Sequence, residues 1–261
     1  MIRFFLPPPS LTLRAFELSG RDSADFLKRL STVDPANLTR GHKDPAFFLD
    51  ERGHIISFFY LEKLNDDRFF IEIISQNSNF ESHIEKMTFS EEMKLESLDL
   101  IPTISPSKSP TLLPMRPFET KWENKDSSLP SQMFSENEFN RLRIQSLYPI
   151  EKQELSESTN PLELGFQSAI LKKQGCYPGQ EVLEKINSKS EPAKRLSLLK
   201  LSQTPSQNEV SFGDHKIGTL TSRVEGLALA FIRKTHCKIG EKVHIGNATA
   251  TIEKIAPFNP L

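Results

Sequence analysis

The sequence predicts an α+β protein that ends in a small all-β unit. Through residue 194, helical periodicity and strand patterns are mixed along the chain. After that point, short strand patterns recur with glycines between them, which is typical of a β-barrel or a sandwich. The 261 residues are enough for a well-buried core and more than one structural unit. We therefore expect one region over residues 1–194 and a second over residues 195–261.

The first elements are predicted to be a helix and three strands. Ser19 or Asp22 can cap the helix, because an apolar stripe at helical spacing follows over residues 26–30. Residues 46–60 have the pattern of two strands around a turn, and residues 68–74 have that of a third strand.

The middle of the chain is predicted to hold two further helices and a proline-rich crossing. The helical patterns cover residues 77–93 and 136–147. Between them, proline recurs five times over residues 101–117, which excludes a helix interior or a central strand. We expect a long crossing loop or an edge segment there. A polyproline-type ligand is a weaker interpretation, because serine and threonine interrupt the prolines.

The C-terminal region is predicted to contain six short strands, which the turn signals separate. Their ranges are 195–201, 209–212, 216–222, 227–232, 242–245 and 248–255.

Composition narrows the function classes. The formal net charge is −1, so no broad positive excess indicates nucleic-acid binding, and we read the basic run over residues 185–200 as a solvated face. The 19 phenylalanines are predicted to be mostly core, because this side chain has no polar group.

The cysteine count and the start of the chain bear on the compartment. Two cysteines make no disulfide framework, and no signal peptide or apolar anchor is visible. No acid precedes Glu17, as in a mitochondrial presequence, but patterned sequence from Leu13 leaves little room for one. We expect a cytoplasmic protein.

Several familiar chemistries lack their motifs. The sequence has no phosphate-binding loop of the GxxxxGK[ST] type, no GxGxxG fingerprint and no CxxC pair, and its six histidines lack metal-ligand spacing. Cys176 and Cys237 cannot supply the four thiolates of an ordinary iron–sulfur cluster. A bound cluster would need other ligands or a second protein, and we predict no resident metal.

The most informative segment is the octet over residues 174–181, Gln-Gly-Cys-Tyr-Pro-Gly-Gln-Glu. Pro178 presets the first angle of a turn, and Gly179 accepts the positive φ of a type II turn. Cys176 lies just outside that turn. A surface turn with an incidental cysteine is the plain alternative.

The octet resembles the signature of the YgfZ-type folate-binding proteins, Lys-Gly-Cys-(Tyr or Phe)-x-Gly-Gln-Glu. Only Gln174 departs from it, and lysines stand at the two preceding positions. The motif-loop residues carried over are Gly175, Tyr177, Gly179, Gln180 and Glu181. The last two have an alternative role, which is to stabilise the loop internally.

The resemblance extends along most of the chain. Residues 160–170 are similar to the Pro-x-Glu-x-Gly segment of this family and of the related glycine-cleavage T-proteins, which bind tetrahydrofolate. Residues 143–149 are similar to the family's Arg-Ile-x-x-Gly-x-Pro, and Glu154 falls near an acid that usually follows. Weaker matches cover residues 18–24, 50–53 and 217–222.

The resemblance implies a T-protein-like folate-binding fold of two entwined subdomains, closed by a C-terminal β-barrel. It also implies tetrahydrofolate or a derivative as the cofactor. Glu163 matches the glutamate that accepts two pterin donors in a bidentate contact; a helix-start acid is the alternative. Arg143 is expected to pair either with an acidic ligand group or with Glu154.

The implied function is an accessory factor for assembly or repair of iron–sulfur clusters, which affects cluster-dependent tRNA-modifying enzymes. Cys176 would act as a thiolate that contacts a cluster or a client, and nearby lysines would favour the thiolate. The expected partners are folate and the assembly machinery or its clients, with no membrane and no direct tRNA contact. The alternative is a folate-dependent aminomethyltransferase or other one-carbon transferase, although no counterpart of the T-protein catalytic aspartate is identified.

Overall fold

The computed structural model describes residues 3–74, 79–107, 116–150, 153–170, 176–189 and 191–259. Within these ranges the chain forms four α-helices and thirteen strands. The helices are α1 Ser23–Leu30, α2 Phe80–Met87, α3 Glu136–Gln145 and α4 Gln180–Lys189. The strands before the last helix are β1 Leu13–Ser19, β2 Lys43–Leu49, β3 Ile55–Lys63, β4 Arg68–Ile74, β5 Lys94–Leu98, β6 Ile101–Pro106 and β7 Phe118–Glu123. Those after it are β8 Lys194–Leu201, β9 Glu209–Phe212, β10 His215–Val224, β11 Leu227–Arg233, β12 Lys242–Ile245 and β13 Ala248–Ile255.

The first five strands form an antiparallel sheet in the order β2-β3-β4-β1-β5. Side chains alternate between the two faces of a strand, so Phe69, Ile71 and Ile73 of β4 share one face. Helices α1 and α2 cover this face with apolar side chains. The predicted strands at residues 46–60 and 68–74 are confirmed.

The opposite face of the sheet packs toward the rest of the protein. Phe47 and Phe58 lie there with their ring centroids 4.9 Å apart, and Phe166 packs against both at 5.3 and 5.1 Å. One apolar cluster continues from this face through α3 to the barrel. Fourteen of the 19 phenylalanines are buried, so their predicted packing role is confirmed.

Two strands of this sheet are not predicted from the sequence. β1 leads directly into the cap of α1, and β5 follows a stretch whose helical pattern runs to residue 93. The helix α2 ends at Met87, since the chain must turn to add β5 at the sheet edge beside β1.

The proline-rich crossing begins as an edge strand. β6 contains Pro102 and Pro106 and pairs with β7 in a two-stranded antiparallel sheet. Proline donates no ladder hydrogen bond, so it fits the edge of a sheet. The sequence predicted the edge segment but not its partner β7. Residues 108–115 lie outside the described ranges.

The C-terminal strands close into a barrel in the order β10-β11-β8-β13-β12-β9. All six strands were predicted, and closure decides in favour of the barrel over the sandwich. Cys237 is buried in this part of the chain, with its Sγ 3.7 Å from Ser197 Oγ, and burial raises the pKa of its thiol. The α+β fold with a C-terminal β-barrel is thereby confirmed. None of the described helices is long and apolar enough to cross a membrane.

A buried carboxylate joins the first sheet to the second. Glu72 of β4 is fully buried and ion-paired with Arg116. Its Oε2 accepts hydrogen bonds from Lys43 Nζ at 2.8 Å, Thr120 Oγ1 at 2.6 Å and Trp122 Nε1 at 2.9 Å. Burial alone would raise the pKa of Glu72, but the positive charges of Arg116 and Lys43 outweigh burial and hold it at about 2.

Replacing Glu72 by glutamine should destabilise the fold by about 3–5 kcal/mol, because Arg116 would keep a buried charge without its counter-ion. Urea unfolding at neutral pH measures this. Glu119→Gln is the control, since it removes an exposed carboxylate from the same strand as Thr120 and should change stability by less than about 0.5 kcal/mol. The folded pKa lies below the ordinary value of 4.5, so this stabilisation should be lost as the pH falls from 4.5 toward 2. Equal stability of the two variants would contradict the network's role.

Candidate functional site

The loop from Cys176 to Gly179 contains the predicted turn. Gly179 has φ +80°, the positive angle that the Pro178-Gly179 pair predicted, and α4 begins at the next residue. Cys176 is exposed at the start of this segment. The remainder of the octet, Gln174 and Gly175, and the preceding lysines at 172 and 173 lie outside the described residues.

The loop packs closely on the turn between β2 and β3. A Cβ atom on Gly179 would lie 2.5 Å from the carbonyl oxygen of Asp50 and 2.6 Å from the Cα of Gly53. Asp50 in turn fixes its own turn, because its Oδ1 accepts the backbone N–H groups of Arg52 at 2.9 Å and His54 at 2.8 Å. Two segments that the sequence analysis identified separately therefore form one surface.

Tyr177 anchors the loop while Cys176 stays outside. Tyr177 is 5% exposed, and burial raises the pKa of its hydroxyl above its ordinary value. The Oε1 of Gln180 accepts the N–H of Tyr177 at 3.4 Å, and its Nε2 donates to Glu184 at 2.7 Å. Gln180 thus stabilises the loop internally, as the alternative interpretation held. Glu181 is exposed in the first turn of α4.

Glu163 lies in a short 3₁₀ turn, Pro161–Leu164, that packs on β8. Asn160 caps this turn: its side chain accepts the N–H of Glu163 at 3.2 Å, and Glu163 accepts the N–H of Asn160 at 3.4 Å. Such reciprocal bonds form a capping box. The alternative structural role of a helix-start acid is therefore present in the fold.

The Glu163 carboxyl also has unusual electrostatics. The residue is 6% exposed, and burial raises its pKa to about 7, although Lys194 opposes the rise from 3.7 Å. Both contacts with Asn160 and Lys194 go to Oε2. Among the described residues, no hydrogen bond reaches Oε1. A carboxyl group with a free acceptor and a pKa near neutrality can bind paired N–H donors or exchange a proton.

Arg143 has a separate set of partners. It is 2% exposed on α3, its Nε donates to Asn140 Oδ1 at 2.8 Å, and its Nη1 lies 3.5 Å from Glu154 Oε2. The hydroxyls of Thr221 and Ser222 donate to the other oxygen of Glu154 at 2.5 and 2.6 Å. Burial lowers the pKa of Arg143, against the opposing charge of Glu154.

These contacts bring together three of the sequence segments. The arginine comes from residues 143–149, the acid is Glu154, and the two hydroxyls come from residues 217–222 on β10. Sequence reasoning gave Glu154 as one of two expected partners of Arg143, the other being an acidic ligand group. It missed Thr221 and Ser222 as partners of the acid. In the part of the chain that the structure describes, no group of three or more histidine, cysteine, aspartate or glutamate side chains is placed to hold a metal ion.

Comparisons with known proteins agree with this architecture. Residues 194–258 match the family model described as the C-terminal β-barrel domain of CAF17. The fold is similar to the crystal structure of glycine cleavage system aminomethyltransferase T from Bartonella henselae, with a TM-score of 0.78, 97% of this chain and 86% of that chain covered, and 16% sequence identity. At this identity, the similarity establishes the fold alone.

A curated relative matches part of the sequence. It is the Arabidopsis thaliana protein At1g60990. Its full name describes it as chloroplastic and assigns it provisionally to the transferases. The identity is 32% over 126 residues, which are 45% of this chain and 29% of the relative. The alignment therefore spans less than a third of that protein. Together, the comparisons describe an aminomethyltransferase-like fold that ends in a CAF17-type barrel.

Gly179→Ala should destabilise the protein more than Gly226→Ala does. Both glycines have a positive φ, near +80°, which costs a non-glycine residue roughly 1–2 kcal/mol. Only at Gly179 does the added methyl meet backbone, whereas at Gly226 nothing lies within 4 Å. We expect an extra loss of about 1–3 kcal/mol at Gly179, measured by urea unfolding. Equal losses would show that the loop does not pack on Asp50.

Glu163→Gln should gain stability relative to the wild type as the pH rises. The folded pKa of about 7 lies above the ordinary 4.5, so the folded wild type holds a proton that the unfolded chain releases. Wild-type stability from this group is therefore full below pH 4.5 and falls as the pH rises to 7, by about 2–3 kcal/mol. Urea unfolding of both proteins from pH 4.5 to 8 measures the difference. A constant difference would contradict the raised pKa.

Proposed function

We propose that this protein binds tetrahydrofolate and serves as an accessory factor in the assembly or repair of iron–sulfur clusters. The observation that carries the folate part is the fold itself, which resembles aminomethyltransferase T over 97% of the chain. The CAF17-type barrel and the octet around Cys176 support the accessory role. We place this activity in the cytoplasm, where both free cysteines would remain reduced.

Glu163 is the residue that we assign to the pterin ring. A pterin presents neighbouring N–H donors, and a carboxylate can accept two of them in parallel. The carboxyl at 163 fits this demand, because Oε2 has only the long contacts of 3.4 and 3.7 Å and Oε1 accepts no hydrogen bond from the described residues. Two donors would favour its ionised form and so offset the burial that raises its pKa.

Cys176 is assigned the contact with a cluster or a client protein. It is exposed on a loop that Tyr177 and Gly179 fix from the inside, so the thiol is accessible on a defined support. One thiolate cannot hold a cluster alone. The cluster would accordingly be cargo, shared with ligands from a partner in the assembly machinery or from a client.

The clients that we propose are cluster-dependent tRNA-modifying enzymes, reached through protein contact. Binding to tRNA itself would need a positively charged surface, and the formal net charge is −1. An effect on tRNA modification would then follow from cluster supply.

An aminomethyltransferase or other one-carbon transferase is the second candidate. One observation favours it: a buried carboxyl with a pKa of about 7 suits a general acid or base at neutral pH. Such chemistry needs that group within reach of the reacting edge of the folate. Release of an aminomethyl group from a donor, with tetrahydrofolate as the acceptor, would establish this function in place of the accessory role.

Calorimetric titration with tetrahydrofolate tests the folate site. Wild-type protein should bind, and Glu163→Ala should weaken binding at least about tenfold, which corresponds to roughly 1.4 kcal/mol. Glu119→Gln is the control and should bind like the wild type, because it removes a carboxylate that is exposed on β7. Absence of binding by folded wild type would refute the proposal.

A cysteine variant separates folate binding from the accessory role. Cys176→Ser should bind tetrahydrofolate normally but should fail to restore a cluster-dependent tRNA-modifying enzyme in cells that lack the wild-type protein. Full restoration by this variant would remove the cysteine from the mechanism and leave the folate site standing.

A further inference from the structure

A polar cavity opens between α3 and the barrel strand β10. Its volume is about 330 Å³, and eight side chains line it: two arginines, three amides, two hydroxyls and one leucine. Drug-sized ligands are usually held by mainly apolar pockets, so this lining suits a different, hydrophilic ligand. One water molecule takes roughly 30 Å³ of the liquid, so the space has room for a small molecule and not only for a single water. Glu163 is not part of the lining.

We propose that this cavity is an oxyanion-binding site, separate from the Glu163 site, which takes a small molecule bearing a carboxylate or a phosphate. Arg143 forms its inner surface and Arg223 its exposed rim, and the lining contains no carboxylate. The inference does not depend on folate binding. Arginine suits such a ligand, because its planar group donates two parallel hydrogen bonds to an oxyanion.

The charges of Glu154 and Glu136 both act on Arg143, but neither acid forms a short charge-assisted bond with it. Its Nε donates to the neutral Asn140, and its Nη1 lies 3.5 Å from Glu154, whereas charge-assisted bonds measure about 2.7–2.9 Å. Glu154 already accepts closer bonds from Thr221, Ser222 and the backbone of Ile150. A buried guanidinium in this position would gain from a second anion on its cavity side.

Arg223 adds a second donor at the mouth of the cavity. Its Nη1 donates to the carbonyl oxygen of Pro205 at 3.1 Å, which orients the group without neutralising it. No ion pair of Arg223 is found within the described ranges. The nearby acids have donors of their own: Glu225 accepts from Asn137 at 2.6 Å, and Glu136 accepts from Asn140 at 3.0 Å.

The probes that test the site are inorganic phosphate and glutarate, followed by NMR titration of the whole protein. We expect saturable binding of at least one of them, with a Kd of about 1 mM or tighter. Binding of phosphate alone assigns the site to phosphorylated ligands, and binding of glutarate alone assigns it to carboxylates. No saturable binding of either probe would overturn the proposal.

Variants locate the bound probe. Arg223→Gln and Arg143→Lys should each weaken binding about fivefold or more, the first by losing a charge and the second by losing the fork geometry. Arg233→Gln is the matched control, because it removes an exposed arginine at the end of β11 in the same barrel. If Arg143→Lys does not fold, the comparison of Arg223→Gln with Arg233→Gln still tests the proposal, because both residues are exposed. Equal binding by Arg223→Gln and Arg233→Gln, or displacement of the probe by tetrahydrofolate, would refute a separate site.

Discussion

The buried carboxylate of Glu72 constrains how the two N-terminal sheets meet. An ionised group without water is costly by several kcal/mol unless donors surround it. Lys43 from β2, Arg116 and two side chains of β7 supply those donors. Arg116 also stacks over the ring of Tyr60, with its guanidinium carbon 4.3 Å from the ring centroid. The second sheet can therefore occupy only a position in which all these groups reach one carboxylate.

The face of the first sheet that carries Phe47 and Phe58 also determines the environment of Glu163. Phe166 packs on Phe47 and Phe58, which fixes the 3₁₀ turn between the sheet and β8. The Glu163 carboxyl is therefore desolvated by burial, with the ammonium of Lys194 3.7 Å away. Capping and ligand binding are compatible roles for it, because the capping bond uses one oxygen and a carboxylate has two.

The three candidate functional groups lie in different structural settings. Glu163 is buried at a junction, Cys176 is exposed on a loop that a tyrosine anchors, and Arg143 lies at the inner end of a polar cavity beside the barrel. A buried carboxyl suits recognition of a ring, and an exposed thiol suits contact with another protein. The described side-chain contacts of the three candidates share no residue, so one substitution can test each candidate separately.

Local patterns in the sequence determined the six barrel strands, the helix α1 and the positive φ of Gly179, because each depends on neighbours within a few residues. The resemblance to a known family added Glu163, Arg143 and Cys176 as site candidates, whose assigned functions remain predictions. Only the tertiary structure decided that the Gly179 loop packs on the Asp50 turn, that Thr221 and Ser222 bind Glu154, and that Glu72 gathers four donors. The closest pair in sequence is Lys43 and Glu72, 29 positions apart, and the most distant is Gly179 and Asp50. Chain closure over such distances follows from burial and the pairing of buried charges, which no local periodicity records.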